Sequence, residues 1–230
     1  MSISDQNPEP AAPKKRGPHG STTELVTREL RQLIQSGHYS PGEHLLQSDI
    51  AEQMEISRIP VREALMILTT DGVVSHKPNQ GYFVPKITAM EMHQIYVMRY
   101  LLESELLNNV RWPSEDELAE IHAIQSRLVT AIENMEFDAI MLENRAFHFA
   151  IFSLCDFGLI QREIKRLWDR SDGYRRSLLN TSPILNQVIE EHGNIIEALE
   201  SKDEAALIEQ MATHHKSGRS QLEKLIEKSR

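Results

Sequence analysis

The sequence predicts a mainly α protein, with an N-terminal winged helix-turn-helix over residues 21–86 and a C-terminal all-α antiparallel six-helix bundle over residues 87–230. Three observations predict it. Three short helical patterns are followed by a glycine-turned pair of β-rich runs. The stretch from Ser57 to Leu65 is a helix start with two arginines on one face and core residues on the other. From residue 88 onward helical periodicity dominates, broken at short Pro, Gly and Ser sites.

Composition sets the class. The chain has 230 residues, 40% hydrophobic and 26% charged, ordinary for a soluble globular protein. It holds no run of about 18 apolar residues and no apolar signal-peptide core, so a cytoplasmic protein with no membrane partner is expected. The single cysteine, Cys155, cannot form an internal disulfide and reads as a packed thiol. The formal net charge is −9, but residues 1–86 carry 9 Lys+Arg against 10 Asp+Glu while residues 87–230 carry 16 against 24. The acidity therefore belongs to the second half, and a near-neutral first half can still bind DNA through basic groups gathered on one face.

Residues 1–20, rich in Pro, Ala and Gly around Lys14-Lys15-Arg16, read as a flexible basic tail, either touching phosphates or merely solubilising. Ser21-Thr22-Thr23-Glu24 matches a capping box, so the first helix is expected to begin there, with Val26, Leu30 and Leu33 inward and Gly37 ending it. After the Pro41-Gly42 turn, Ser48 is expected to cap a second helix with Ile50, Ala51 and Met54 inward, and Glu55-Ile56 to make the corner. Ser57 then caps the third helix, with Pro60 in its first turn, where no intrahelical donor is lost. Val61, Leu65 and Leu68 face the core, while Arg58 and Arg62 lie one turn apart on another face. Two arginines placed so can grip guanine edges or phosphates, and equally can be solvated charges on an amphipathic helix. Asp71-Gly72 stops the helix, and Val73 to His76 with Tyr82 to Val84, around Pro78-Asn79-Gln80-Gly81, reads as a two-stranded hairpin.

This order of elements, with the Pro41-Gly42 turn, the Leu46 to Glu52 helix start, the Ser57 to Leu65 run and the Gly81-Tyr82-Phe83-Val84 wing, resembles the N-terminal domain of the GntR family of bacterial transcription regulators. The resemblance implies operator contacts by Arg58, Arg62 and Gly81, with Ser57, Pro60 and Lys77 on the same DNA face. Ser48 departs from it, standing where some members place another DNA-contacting arginine.

Beyond the Pro85-Lys86-Ile87 linker, six helices are expected over 88–110, 114–136, 137–154, 157–180, 182–199 and 203–228. Short connections imply antiparallel neighbours. Three apolar stripes carry polar residues: Asn144 and His148 on the third helix, His192 on the fifth, and His214 on the sixth, where His215 fits an alternative stripe. Such groups are either hydrogen-bonded core residues or ligands of a zinc-like or nickel-like cation. Arg99 shares a stripe with Met92, Ile95, Leu102 and Leu106 and needs an anionic partner, either Glu103 one turn on or a ligand carboxylate. Trp168, Tyr174 and Arg175 are candidates to line the same pocket.

Arg99-Tyr100-Leu101-Leu102-Glu103, Asn144-Arg145-Ala146-Phe147-His148, Glu191-His192 and Met211-Ala212-Thr213-His214 resemble the motifs of the FCD ligand-binding domain of FadR-like GntR regulators, in the six-helix form of VanR-like members. The resemblance implies a divalent metal (Zn, Ni or Mn) on Asn144, His148, His192 and His214, and favours the carboxylate reading of Arg99. Asn144 departs from the family's Asp, leaving the site one negative charge short. The expected protein is a homodimeric regulator that binds double-stranded operator DNA and is released by a small organic acid. The alternatives are a metal-dependent enzyme using His148, His192 and His214, or a direct metal sensor.

Overall fold

The computed structural model describes residues 19–178 and 182–228, with side chains over 22–172, 175 and 184–221. The expected tail over residues 1–20 lies almost wholly outside them, and the Tyr174 side chain lies outside them too.

Helix α1 (His19–Gln35) buries Val26, Leu30 and Ile34 at helical spacing. It begins before Ser21, so the expected capping box sits inside the first turn, and the buried stripe closes on Ile34 while Leu33 stays half-buried. Gly37, at φ 74°, ends it in a left-handed turn whose amide reaches the Ile34 carbonyl. Strand β1 (His44–Leu45) follows, then α2 (Gln47–Gln53), whose N-cap is Leu46. Ser48 therefore does not cap; its hydroxyl donates to Asp49 instead. Glu55, at φ 53°, turns the corner into α3 (Arg58–Thr70). Ser57 is the N-cap with extended backbone, as expected, although its hydroxyl makes no cap hydrogen bond. Asp71 and Gly72 (φ 73°) stop the helix.

The wing differs from the expected two-stranded hairpin. Strands β2 (Ser75–Lys77) and β3 (Gly81–Phe83) pair antiparallel, and β1 pairs with the other edge of β3, giving the order β1-β3-β2. Gly42 is the reason: its φ of 89° turns the chain back so that its amide donates to the Val84 carbonyl while Val84 donates to Glu43. Val61, Ala64, Leu65 and Leu68 of α3 close the core against Val26, Leu30, Leu45 and Val74.

All six bundle helices appear where periodicity put them: α4 (Ala89–Leu107), α5 (Glu115–Glu133), α6 (Phe137–Phe152), α7 (Gly158–Leu178), α8 (Ser182–Ser201) and α9 (Glu204–Lys228). Reciprocal capping boxes start two of them, Thr88 with Glu91 and Ser114 with Glu117. α5 packs on α6, α8 on α9, and α4 touches both α7 and α9. Phe147, Ile151, Phe152, Ile164, Trp168, Ile195 and Leu199 fill the centre, and Cys155 is a buried free thiol in the same cluster. α7 also rests on α1, and a side chain at Gly72 would meet Arg170 at 3.1 Å. Among the described residues no helix is long and apolar enough to cross a membrane.

Candidate functional site

Two sites stand out, one on α3 and one inside the bundle. On α3 the core-facing residues are fully buried while Arg58, Ile59, Arg62 and Glu63 are exposed, so both arginines project from the first turns. Ser57 is exposed beside them; Pro60 is buried and braces the turn. On the wing, Lys77 is exposed and lies over the Phe83 ring at 4.8 Å, and it pairs with Gly81 across the turn. Gly81 has φ 95°, and a Cβ there would meet His44 Nε2 at 2.8 Å. His44 itself stacks on Phe83.

Inside the bundle, α6, α8 and α9 bring His148, His192 and His214 together, each offering a ring nitrogen within 4.8 Å of the others. His148 Nε2 and His214 Nε2 are 3.1 Å apart. Their partners set the tautomers. Gln125 donates its amide nitrogen to the Ile189 carbonyl, which turns its oxygen toward His192 Nδ1 at 3.0 Å. His192 must then donate from Nδ1, leaving the buried Nε2 as a bare lone pair with no partner. His214 Nδ1 meets the Glu191 carboxylate at 2.6 Å, so its Nε2 likewise faces the cluster unprotonated when the ring is neutral. Burial, with the neighbouring imidazoles, holds His148 and His192 well below the ordinary histidine range, so both are neutral, the form that ligates metals. Two nitrogens each bonded to a zinc-like ion lie about 3 Å apart, so the donor set fits a borderline divalent ion. Gln125 and Glu191 are orienting residues that sequence reasoning passed over as ligand-site members; Glu191 stood next to His192, but Gln125 lies on another helix and gave no signal.

His148 and His214 line, with Asn144, Arg99, Arg175, His215 and Tyr96, a cavity of about 40 Å³, room for a few small molecules of water size. Asn144 is 2% exposed and lies on the cavity wall. His215 points away from the cluster toward Tyr96 and Tyr100, so His214 is the clustered one of the pair. Of the two partners that the sequence left open for Arg99, Glu103 is in place: the Arg99 Nε donates to it at 2.8 Å, while Nη1 is buried with no acceptor. Burial opposes its charge, but Glu103, Tyr96 and Asp172 together outweigh that and hold the guanidinium above its usual range. Glu103 also accepts from Trp168 Nε1 at 2.8 Å. Trp168 does not line the cavity as expected; it is fully buried behind it, with Arg99 and Arg175 lying over its ring at 4.1 and 3.8 Å. Arg175 reaches the cavity, and burial followed by the Arg99 charge lowers its pKa.

A winged helix-turn-helix joined to a helical bundle with an enclosed polar pocket is the build of a transcription regulator. The sequence model for bacterial regulatory proteins of the gntR family matches residues 22–84, and that for the FCD domain matches residues 94–217. The chain belongs to the GntR family, with an FCD domain as its second part. It is 30% identical over 189 residues to the HTH-type transcriptional regulator McbR of Escherichia coli K12, covering 80% of this chain and 85% of that one. It is 27% identical over 197 residues to the gluconate operon transcriptional repressor of Bacillus subtilis 168, covering 83% and 81%. The solved structure of E. coli McbR/YncC matches with a TM-score of 0.77 at 25% identity, over 89% of this chain and 98% of that one. A GntR regulator from Rhodococcus sp. RHA1, at 24% identity and a TM-score of 0.78 over 88% and 97%, shares the fold.

Proposed function

We propose that the chain represses transcription as a homodimer, binding operator DNA through residues 21–86 and releasing it when residues 87–230 bind a small carboxylate. The observation that carries the effector reading is the Arg99 guanidinium, buried and charged with Nη1 unpartnered at the wall of a polar cavity. An unpaired buried donor on a cation is costly, and a carboxylate satisfies it. Arg99 binds the acid, Glu103 and Trp168 hold Arg99 in place, and Arg175 adds a second positive group. His148, His192 and His214, with Asn144, hold a divalent ion, which supplies further positive charge for the same carboxylate. Asn144 offers a neutral oxygen, so the site takes metal less tightly than a carboxylate-bearing one.

Arg58 and Arg62 read base edges or phosphates, Ser57 and Pro60 set the start of their helix, and Lys77 and Gly81 bring the wing to the backbone. A second copy is supported by α4, which is apolar on both sides. Met92, Ile95 and Leu106 face in, while Met90, Val97, Met98 and Leu101 are exposed among the polar Gln94 and Glu105, and an outer face with that much apolar surface is suited to cover by another chain. The deciding experiment is to screen small carboxylates by thermal shift with and without Zn²⁺, Ni²⁺ or Mn²⁺, then titrate a stabilising acid into the protein–operator complex. Release is expected; an acid that binds tightly and leaves operator affinity unchanged refutes the regulation.

A further inference from the structure

Arg175, which faces the effector pocket from α7, is linked through a chain of shared carboxylates to the DNA-binding half. Arg175 donates to Asp172 at 3.3 Å. The other oxygen of Asp172 accepts from Arg145 at 2.5 Å, and the second nitrogen of Arg145 donates to Asp169 at 2.8 Å. Asp169 also accepts from Arg31 of α1 at 2.5 Å and from Gln35 at 3.0 Å. Arg31 finally bonds Asp71, the C-cap of α3. Asp169 and Asp172 side chains are 3% and 5% exposed, so their pairings are poorly screened, and Lys165 also reaches Asp169, at 3.1 Å from its own helix. The path runs from the pocket to the end of the helix that carries Arg58 and Arg62.

We propose that Arg175, Asp172, Arg145, Asp169, Arg31 and Asp71 form a relay of shared ion pairs through which occupancy of the pocket sets the position of the DNA-reading helix. An anion in the pocket competes with Asp172 for Arg175. Asp172 then leans on Arg145, which loosens its hold on Asp169, and Asp169 in turn draws on Arg31 at the expense of Asp71. Arg31 is a positioning residue here, since it acts through Asp169 and Asp71. The short linker before α4 is a second mechanical connection, and Arg166 of α7 also approaches Asp71 at 3.9 Å, but the relay is the path that starts from a cavity-lining cation and ends on α3. By reciprocity, DNA that shifts α3 must disturb the pocket, and Trp168, which lies against Arg99 and Arg175, is a reporter placed there.

The relay rests on the DNA-binding reading above, and its test separates the two. In a Trp112→Phe background, where Trp168 is the remaining tryptophan, duplexes bound by the protein are first selected from a random pool. Saturating selected DNA is expected to change Trp168 emission. Arg31→Gln is expected to abolish that change while binding remains saturable, its affinity moving by no more than the 5- to 150-fold or so of ordinary coupling. Arg127→Gln, which removes an exposed pair with Glu120 and Glu143 outside the relay, keeps the change. If Arg31→Gln fails to fold, Arg145→Lys keeps the charge but loses the two-nitrogen fork that spans Asp169 and Asp172, and it is expected to lose the change as well. A DNA-bound Arg31→Gln or Arg145→Lys protein with the full emission change overturns the relay, as does a background protein that binds DNA with no change. Failure to select any duplex sinks the DNA-binding reading instead.

Discussion

His148 and His214 face each other through Nε2 atoms 3.1 Å apart, although they lie 66 residues apart in the sequence. The His214 lone pair so placed needs either a proton donated from His148 Nε2 or a cation shared by both rings. Added Zn²⁺, Ni²⁺ or Mn²⁺ is therefore expected to stabilise the protein, by about 2.7 kcal/mol at 100 times Kd, or a melting shift of roughly 5–10 °C for a chain of this size. His214→Ala should remove the shift. A wild-type protein indifferent to all three ions shows the histidines to be core groups or direct acid contacts.

Arg58→Ala and Arg62→Ala should each weaken operator binding by about 1–3 kcal/mol. Both side chains are exposed, so the far-ultraviolet spectrum and unfolding midpoint should stay at wild-type values. Unchanged affinity in either variant removes α3 from the recognition surface.

Arg99→Ala should abolish carboxylate binding and also destabilise the fold by about 3–5 kcal/mol, because it strands the buried Glu103. Arg99→Met combined with Glu103→Leu separates the effects. Denaturant unfolding should recover most of the lost stability, while calorimetry should still find no acid binding.

Leu101→Glu places a charge on the outer face of α4, where Leu101 is 61% exposed. Sedimentation should find monomers, with operator affinity lost alongside the paired half-sites. A dimeric Leu101→Glu protein puts the interface elsewhere.

Burial holds His148 and His192 well below the ordinary range and pushes His215 down to about 4 from 6.5. The unfolded chain then binds more protons than the folded one below pH 6.5, so stability is complete above that pH and falls as the solution is acidified toward 4. Each pH unit across that window costs about 1.4 kcal/mol per histidine. Urea midpoints of metal-free protein between pH 7.5 and 5 check this; a flat profile contradicts neutral burial.

Much of this was legible in the sequence because local rules governed it. The six bundle helices follow apolar spacing of three and four, and their ends follow Pro113, Ser114, Gly158 and Pro183. The three polar breaks at His148, His192 and His214 were visible as interruptions of apolar stripes, but their convergence depends on how α6, α8 and α9 pack and was open until the helices were placed. What escaped was decided by distant pairing. Strand β1 is two residues long, too short for alternation to register, and exists because Gly42 folds it onto β3. Asp169 and Asp172 drew no reading from the sequence, and they are buried because Arg31 and Arg145 arrive from other helices. Leu46 displaced Ser48 as a cap because that strand pairing fixes where α2 begins. The one available hint to the buried network was Trp168 flanked by Asp169 and Asp172, an acidic pair beside a core residue.

The wing has a mechanical consequence. A lone hairpin is a soft, marginal structure, but β3 is hydrogen-bonded on both edges, and its partner β1 leads within one residue into α2. Asn79 and Gly81 at the tip cannot swing without breaking one ladder or dragging the helix that precedes α3. Wing and helix thus form one stiff die with a fixed span between its two points. A duplex that meets both must supply the adjustment itself, so base steps that bend easily are favoured even where no side chain touches them.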